Sequence, residues 1–129
     1  MHTTVKSAVK SVSQKAEFRA LAHPDLIAGR GPIRVSYVRT PLDMQPICIQ
    51  VGFVISKKCG NAVARNRLRR RLREVTRECA PRVELGAYLI RTSPGAASLS
   101  FQDLARETTR AFDEITRVTR TRDARLRRG

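Results

Sequence analysis

Apolar residues recur along the chain with two periods, and the changes of period predict six elements. Ser13–Ala22 carries apolar residues at helical spacing and ends where Pro24 and the glycines of AGRGP interrupt the pattern. Ile33–Val38 and Ile47–Ser56 alternate between two faces, as half-buried strands do. Because a short loop separates these two strands, we expect them to pair as an antiparallel hairpin.

The middle of the chain predicts a second helix and a third strand. Asn61 is a residue type that caps helix N-termini. The apolar residues that follow it recur at i, i+4, i+7 and i+11 and form one stripe, Leu68, Leu72, Val75 and Cys79. Pro81 ends this helix, and the short apolar run Gly86–Thr92 predicts a strand.

The last predicted helix starts after Ser100, which can cap it together with Asp103 three residues later. Helical spacing of apolar residues then continues to Val118. Beyond that point the periodicity is lost while the charge continues, so 119–129 predicts a frayed basic tail on a domain of residues 1–118. The element order helix, strand, strand, helix, strand, helix predicts a single small α+β domain with a small mixed sheet packed by helices.

Positive charge is concentrated in the second helix. The 129 residues are 41% hydrophobic, enough for one globular core, yet the formal net charge is +15. Nine Lys or Arg residues lie within Ser56–Glu78, against only Glu74 and Glu78. Since the apolar stripe must face the core, these arginines point outward, where like charges at i,i+4 weaken an isolated helix. A polyanionic partner explains this cost, with nucleic acid ahead of an anionic membrane surface.

The remaining chemistry of the chain excludes several classes of function. No signal peptide or membrane span is predicted, so we expect a cytoplasmic protein. Cys48, Cys59 and Cys79 lack CxxC spacing, and we expect buried thiols rather than disulfides or zinc ligands. His2 and His23 are expected to be exposed, and no motif offers paired carboxylates. No catalytic or metal-binding residue is therefore assigned.

The segment SKKCGNAVARNRLRRRLRE resembles the signature of the bacterial ribonuclease P protein subunit, and the resemblance extends over about residues 12–118. That family pattern is Lys-Lys, a variable residue, Gly-Asn-Ala-Val, a variable residue, and Arg-Asn-Arg with further basic positions. The resemblance implies a ribonucleoprotein that removes the 5′ leader from precursor tRNA, with a catalytic RNA subunit that holds most of the Mg²⁺. It also implies a left-handed strand-helix-strand crossover, which periodicity does not reveal.

The resemblance also implies roles for individual residues. Those expected to contact the RNA subunit, or to lie beside that surface, are Lys57, Lys58, Asn61, Arg65, Asn66, Arg67, Arg69, Arg70 and Arg73. The resemblance implies a leader cleft, formed by the first helix and the open sheet face, that binds the single-stranded leader. Phe18 matches the first aromatic of this cleft, whereas Ala22 stands where the second is expected. Arg34 and Ser36, on the strand face opposite Val35, would make this cleft more polar. Two alternatives to these leader-binding roles stay open: Phe18 could be a core residue, and Arg34 could be a solvated strand residue without a ligand.

Three other classes of function compete with this interpretation. A ribosomal or general RNA-binding protein shares the charge, but it does not require the Arg-Asn-Arg signature. A DNA-binding protein is disfavoured because no helix-turn-helix pair is readable and the basic helix follows a strand. A nuclease that binds metal by itself is the least favoured. The expected partners are therefore the RNA subunit and precursor tRNA, without DNA or a membrane.

Overall fold

The computed structural model describes residues 9–11, 21, 23–39 and 49–128, with side chains described at 21, 23–39 and 49–126. The helices described over their full length are α1 (Ala62–Cys79) and α2 (Phe101–Arg128). Short 3₁₀ turns lie at Lys57–Cys59, Ala80–Arg82 and Pro94–Ser98. The described strands are β1 (Val9–Ser11), β2 (Leu26–Arg30), β3 (Ile33–Arg39), β4 (Ile49–Ile55) and β5 (Gly86–Thr92).

The strands form one mixed sheet in the order β1-β4-β5-β3-β2. β2 and β3 pair antiparallel, as do β3 and β5, whereas β4 runs parallel to both β5 and β1. Helix α1 connects the two parallel neighbours β4 and β5. The predicted α+β class with a small mixed sheet is therefore confirmed. The left-handed sense of the crossover stays a prediction from the resemblance.

The predicted hairpin between the strands at 33 and 47 is wrong. β5 lies between β3 and β4, with Ile90 opposite Val35 on one side and Phe53 on the other. Six of its seven residues are buried, more than in any other strand whose side chains are described, as expected at the centre of the sheet. β3 and β4 are close in sequence, but both pair with β5, which comes later in the chain, and not with each other.

Two strands were absent from the sequence prediction. β2 folds back onto β3 through a tight turn at Gly31, whose φ of 55° lies in the left-handed region that glycine tolerates. The glycines of AGRGP, which we interpreted as a break, belong to this hairpin. β1 is only three residues long. The predicted helix at 13–22 lies outside the described residues, except for Leu21, which is helical.

One face of the sheet carries the main core beneath α1 and α2. At its centre the Tyr37 and Tyr88 rings lie 4.8 Å apart, and Phe112 of α2 meets Tyr88 edge-on at 5.3 Å. Such aromatic pairs each add about 0.5–1.5 kcal/mol beyond the area they bury. The stripe of α1 packs into the same cluster. These contacts fix both helices against the sheet.

Gly86 permits the close approach at the start of β5. Its φ is 147°, and a Cβ at this position would lie 2.6 Å from the carbonyl oxygen of Val38. The same Cβ would lie 2.7 Å from the Cε1 atom of the Tyr37 ring. Only a residue without a side chain fits this conformation next to these atoms.

The predicted frayed tail is wrong, because α2 continues to Arg128. Thr116 and Thr119 extend its buried stripe, with Thr119 only 3% exposed. The Arg39 Nη2 atom also lies 2.5 Å from Oδ2 of Asp123, which ties the last turns of α2 to β3. An apolar pattern misses a stripe continued by threonines. The domain boundary at residue 118 stays a prediction.

The described residues cover the opposite face of the sheet only in part. Leu21 packs there against Ala87 and Leu89 of β5 and Val38 of β3. The other end of this face carries exposed side chains, and among them Val54 is 41% exposed. We call this uncovered surface, which includes Arg34, Val54 and Arg91, the open end of the sheet.

The described cysteines are buried and the described histidine is exposed, as the sequence predicted. Cys59 and Cys79 are free and buried, and His23 is exposed. Cys48 and His2 lie outside the described residues. Within the described ranges, neither helix combines the length and hydropathy that a membrane span requires.

We predict that alkaline pH destabilises the fold through its buried tyrosines. Burial raises the pKa of Tyr37 to about 12 and also raises that of Tyr88. A tyrosine in the unfolded chain ionises near pH 10, so each of these two stays protonated to a higher pH in the folded state. The free energy of unfolding should fall above about pH 10 by roughly 1.4 kcal/mol per pH unit for each tyrosine. Denaturant titrations between about pH 8 and pH 11.5 measure this slope.

The Tyr37→Phe variant provides the control. It loses the hydrogen bond from the Tyr37 hydroxyl to the carbonyl of Leu85 (2.8 Å), at a cost of about 1 kcal/mol. Its stability should nevertheless fall less steeply with pH, because one tyrosine fewer titrates. Equal slopes for the two proteins would contradict the assignment to Tyr37.

Candidate nucleic-acid interface

The approach to α1 is built by local hydrogen bonds. The Ser56 hydroxyl accepts from the backbone N–H of Lys58 at 3.2 Å and starts a single 3₁₀ turn. Gly60 follows with a φ of 134°, and a Cβ there would lie 3.0 Å from the Ala64 Cβ. Asn61 then caps α1, because its side-chain oxygen accepts from the Ala64 N–H at 2.9 Å. This geometry confirms the predicted cap and gives Gly60 and Asn61 structural reasons to occupy the motif.

The predicted stripe of α1 is confirmed. All four of its residues are at most 4% exposed, and they lie in the main core: Leu68, Leu72, Val75 and Cys79. The charged residues of the helix are therefore turned away from the sheet, as the sequence indicated. Of the nine residues that the resemblance assigned to RNA, Arg65 and Arg69 are half-buried and the other seven are exposed.

The arginines of α1 divide into two flanks on either side of the outward crest. Arg65, Arg69 and Arg73 follow i,i+4 spacing along the first flank. Arg67 and Arg71 form the second flank. Arg70 and Arg77 lie between them on the crest. The helix thus presents positive charge over most of its accessible circumference.

None of these seven arginines has an acidic partner within 4.0 Å among the described residues. Elsewhere in the fold, arginines do form ion pairs with the protein's own acids; these are Arg30, Arg39, Arg82, Arg106, Arg110 and Arg120. The unpaired charge is therefore a property of α1 rather than of arginine in this chain generally.

The first flank contains a partly ordered polar surface. Asn66 Oδ1 accepts a hydrogen bond from Arg69 Nη1 at 3.3 Å, which restrains the Arg69 side chain. The Arg73 guanidinium carbon lies 5.9 Å from the centre of the Phe53 ring on β4. The Nε atom of Arg65 is buried and has no hydrogen-bond partner in the described part of the chain. A buried donor left unpaired costs free energy.

The second flank borders a groove between α1 and the first residue of α2. This α1/α2 groove has a volume of about 590 Å³. Its lining consists of Arg67, Arg70, Arg71, Arg73, Glu74, Arg77 and Phe101. Five arginines and a single acid make its potential strongly positive.

A second positive surface lies at the open end of the sheet. Arg34 of β3 stands directly opposite Arg91 of β5, and both are exposed. Like charges at directly opposite positions destabilise a sheet. Ser36, two residues from Arg34, is on the same face but only 4% exposed. Phe18 and Ala22, the other predicted cleft positions, lie outside the described residues.

Sequence reasoning gave no site role to Phe53, Arg91 or Phe101. The two aromatics occupy apolar positions of a strand and a helix, so the pattern assigns them to the core. Only the structure shows that each is half-buried beside arginines of α1. Among the described residues, no three His, Cys, Asp or Glu side chains form a group that could hold a metal ion. No metal ligand is therefore assigned to them.

Comparison with known proteins identifies the family. The family model described as Ribonuclease P matches residues 7–116. The ribonuclease P protein component of a Nocardioides species is 39% identical over 108 residues, covering 82% of this chain and 91% of the relative. That of Micrococcus luteus is 37% identical over 112 residues, with 80% and 85% coverage. The chain belongs to the ribonuclease P protein family, which supplies the protein component of an endoribonuclease.

Solved structures agree at the level of the fold. The ribonuclease P protein of Thermotoga maritima superposes with a TM-score of 0.70 at 16% identity, covering 82% of this chain and 97% of that one. The Staphylococcus aureus protein gives a TM-score of 0.70 at 16% identity, with 80% and 92% coverage. The mixed sheet with its two packed helices is therefore the fold of this family.

We predict that Asn61 contributes mainly to folding. Asn61→Ala removes the acceptor for the Ala64 N–H and should lower the free energy of unfolding by about 1 kcal/mol. Asn61→Asp keeps the cap and places a negative charge at the helix N-terminus, so its stability should equal or exceed that of the wild type. Denaturant unfolding of the three proteins checks this order. A stable alanine variant would show that the cap has no energetic role.

Proposed function

We propose that this protein binds the RNA subunit of ribonuclease P through the basic surface of α1. With that RNA it removes the 5′ leader from precursor tRNA in the cytoplasm. The observation that carries the proposal is the absence of acidic partners for all seven α1 arginines among the described residues, in a chain that belongs to this family. RNA phosphates supply the missing countercharge.

The first flank would fix orientation as well as supply attraction. Arginine forks match phosphate geometry, and the guanidinium groups of this flank have no acidic partner among the described residues. Asn66 holds Arg69 by a hydrogen bond and still has its amide N–H groups to donate. Lys57 and Lys58, both exposed in the turn before the helix, extend the same surface. The RNA would therefore follow the 3₁₀ turn and the first three turns of α1.

The open end of the sheet would receive the leader of precursor tRNA. The facing charges of Arg34 and Arg91 repel each other in the free protein, and a phosphate between them would relieve that repulsion. Exposed Val54, opposite Arg91 on β4, adds an apolar contact for a sugar or base. Phe18 would supply the stacking ring that the family resemblance implies. Buried Ser36 can line the floor of this surface rather than project from it.

The reaction itself requires Mg²⁺, which we propose is held mainly by the RNA subunit. Bound Mg²⁺ activates water and stabilises charge at a phosphodiester. The protein's contribution is then positional: its arginines neutralise phosphates and bring substrate and RNA together. This division predicts that the protein lowers the Mg²⁺ requirement of the RNA without cutting by itself.

Reconstitution tests the proposal. Precursor tRNA is incubated with the protein alone, with a bacterial ribonuclease P RNA alone, and with both, at about 2 mM and about 20 mM Mg²⁺, since weak electrostatic screening exposes the protein's role. We expect cleavage at the leader junction at low Mg²⁺ only when both are present. Cleavage by the protein alone, or no stimulation of the RNA, would overturn the proposal.

Replacing Arg69 and Arg73 by Ala should weaken binding to the RNA subunit and reduce its dependence on salt. The log-log slope of affinity against salt should flatten by about 0.7–0.9 for each phosphate that the protein no longer neutralises. Filter binding between about 0.1 M and 0.5 M KCl measures both quantities.

The matched control replaces Arg106 and Arg110 of α2 by Ala. Both side chains pair with Glu107, and their replacement removes the same number of charges. The affinity and slope of this control should stay close to those of the wild type. If both double variants bind equally weakly, net charge alone explains binding and the surface of α1 is not the interface.

Arg34→Ala and Arg91→Ala should each lower the affinity of the holoenzyme for precursor tRNA several-fold while leaving mature tRNA binding unchanged, because only the precursor has a leader. Phe18→Ala should show the same selectivity, with a loss of about 1–3 kcal/mol if a leader base stacks on that ring. Competition binding with both tRNAs makes the measurement. Arg82→Ala, an ion-paired arginine elsewhere, serves as control. Equal losses for the two tRNAs would exclude a leader contact.

A further inference from the structure

We infer that the α1/α2 groove holds one unstacked nucleotide of the RNA subunit, with its base on the Phe101 ring and its phosphate on arginines of α1. The inference rests on the proposed function, which it deepens by assigning a base-binding pocket to this surface. Neither the sequence motif nor the family resemblance assigned a role to Phe101.

Phe101 is placed to stack with a base. It is the first residue of α2 and is half-buried, packed against the main core while it lines the groove. Its ring forms no aromatic pair among the described residues, unlike Tyr37, Tyr88 and Phe112. A ring that is anchored on one side and borders a basic groove on the other is the arrangement that single-stranded nucleic acid uses for stacking.

The charges of the groove favour a nucleotide over a bare phosphate. Arg67 and Arg71 come from the second flank of α1, and neither has an acidic partner in the described chain. Glu74 is the one acid of the lining, and its carboxylate would repel a phosphate placed against it. The same carboxylate accepts hydrogen bonds from an exocyclic amine or a 2′-hydroxyl. The arginines of α1 would thus bind the phosphate of one nucleotide, the Phe101 ring would stack on its base, and the Glu74 carboxylate would bind a polar group at its edge.

The position of the groove selects the RNA subunit over the leader. α1 and α2 both pack on the core face of the sheet, whereas Arg34 and Arg91 project from the opposite face. A leader held at the open end of the sheet is therefore separated from Phe101 by the sheet itself. The volume of about 590 Å³ falls within the roughly 300–1,000 Å³ of small-molecule sites, enough for one nucleotide.

The test compares Phe101→Leu with Phe101→Tyr. Leucine keeps an apolar contact with the core and removes the ring, whereas tyrosine keeps the ring. We expect Phe101→Leu to weaken binding of the RNA subunit about five-fold or more. The salt slope should stay unchanged, because no charge is removed. Phe101→Tyr should bind like the wild type, and thermal unfolding of each variant monitors the fold.

A second measurement does not depend on the stability of the leucine variant. A photoreactive benzoylphenylalanine at position 101 should crosslink to one site in the RNA subunit of the assembled holoenzyme. Crosslinking to precursor tRNA, to no RNA, or to another protein would overturn the inference, as would wild-type affinity for a folded Phe101→Leu. If the wild-type protein fails to bind the RNA subunit at all, the proposed function fails instead.

Discussion

The packing of one apolar stripe decides the chemistry of this protein. Leu68, Leu72, Val75 and Cys79 bury one side of α1 against the sheet, and this contact holds the helix in a single rotational position. Every arginine of the helix is then directed outward, where like charges at i,i+4 repel by a few tenths of a kcal/mol per pair. Burial of the stripe offsets this repulsion, so the fold can present a positive surface that an isolated helix would not sustain.

The sheet separates two surfaces that we assign to different RNAs. Its core face carries α1 and α2, with the arginine flanks beside Phe53 and Phe101. Its opposite face is covered by Leu21 at one end and exposes Arg34 and Arg91 at the other. A protein of this size can therefore contact a structured RNA on one side and a single strand on the other. Positioning two RNAs in this way requires no catalytic side chain from the protein.

Local signals in the sequence were sufficient for α1, its cap and β5. The helix rests on periodicity, the cap on a hydrogen bond between near neighbours, and β5 on a short run of apolar residues. The pairing of β3 with β5 was not predictable in that way, since strand partners are chosen by contacts between distant segments. The continuation of α2 was missed because its buried positions include Thr116 and Thr119, and threonine is not counted as apolar in the pattern. The basic surface was predictable from charge, whereas Phe101 was not, because a half-buried ring and a core ring occupy the same position in the pattern.

The account holds that the arginine surface of α1 costs the free protein stability and that RNA, not the protein's own acids, balances it. The most direct test measures the free energy of unfolding of the RNA-free protein at about 0.05 M and about 0.5 M KCl, conditions with weak and strong screening. The stability should rise with salt, and Arg69→Gln, which removes two repulsive i,i+4 pairs, should be the more stable protein at low salt only. A stability that falls with salt, with Arg69→Gln less stable than the wild type at low salt, would contradict the account.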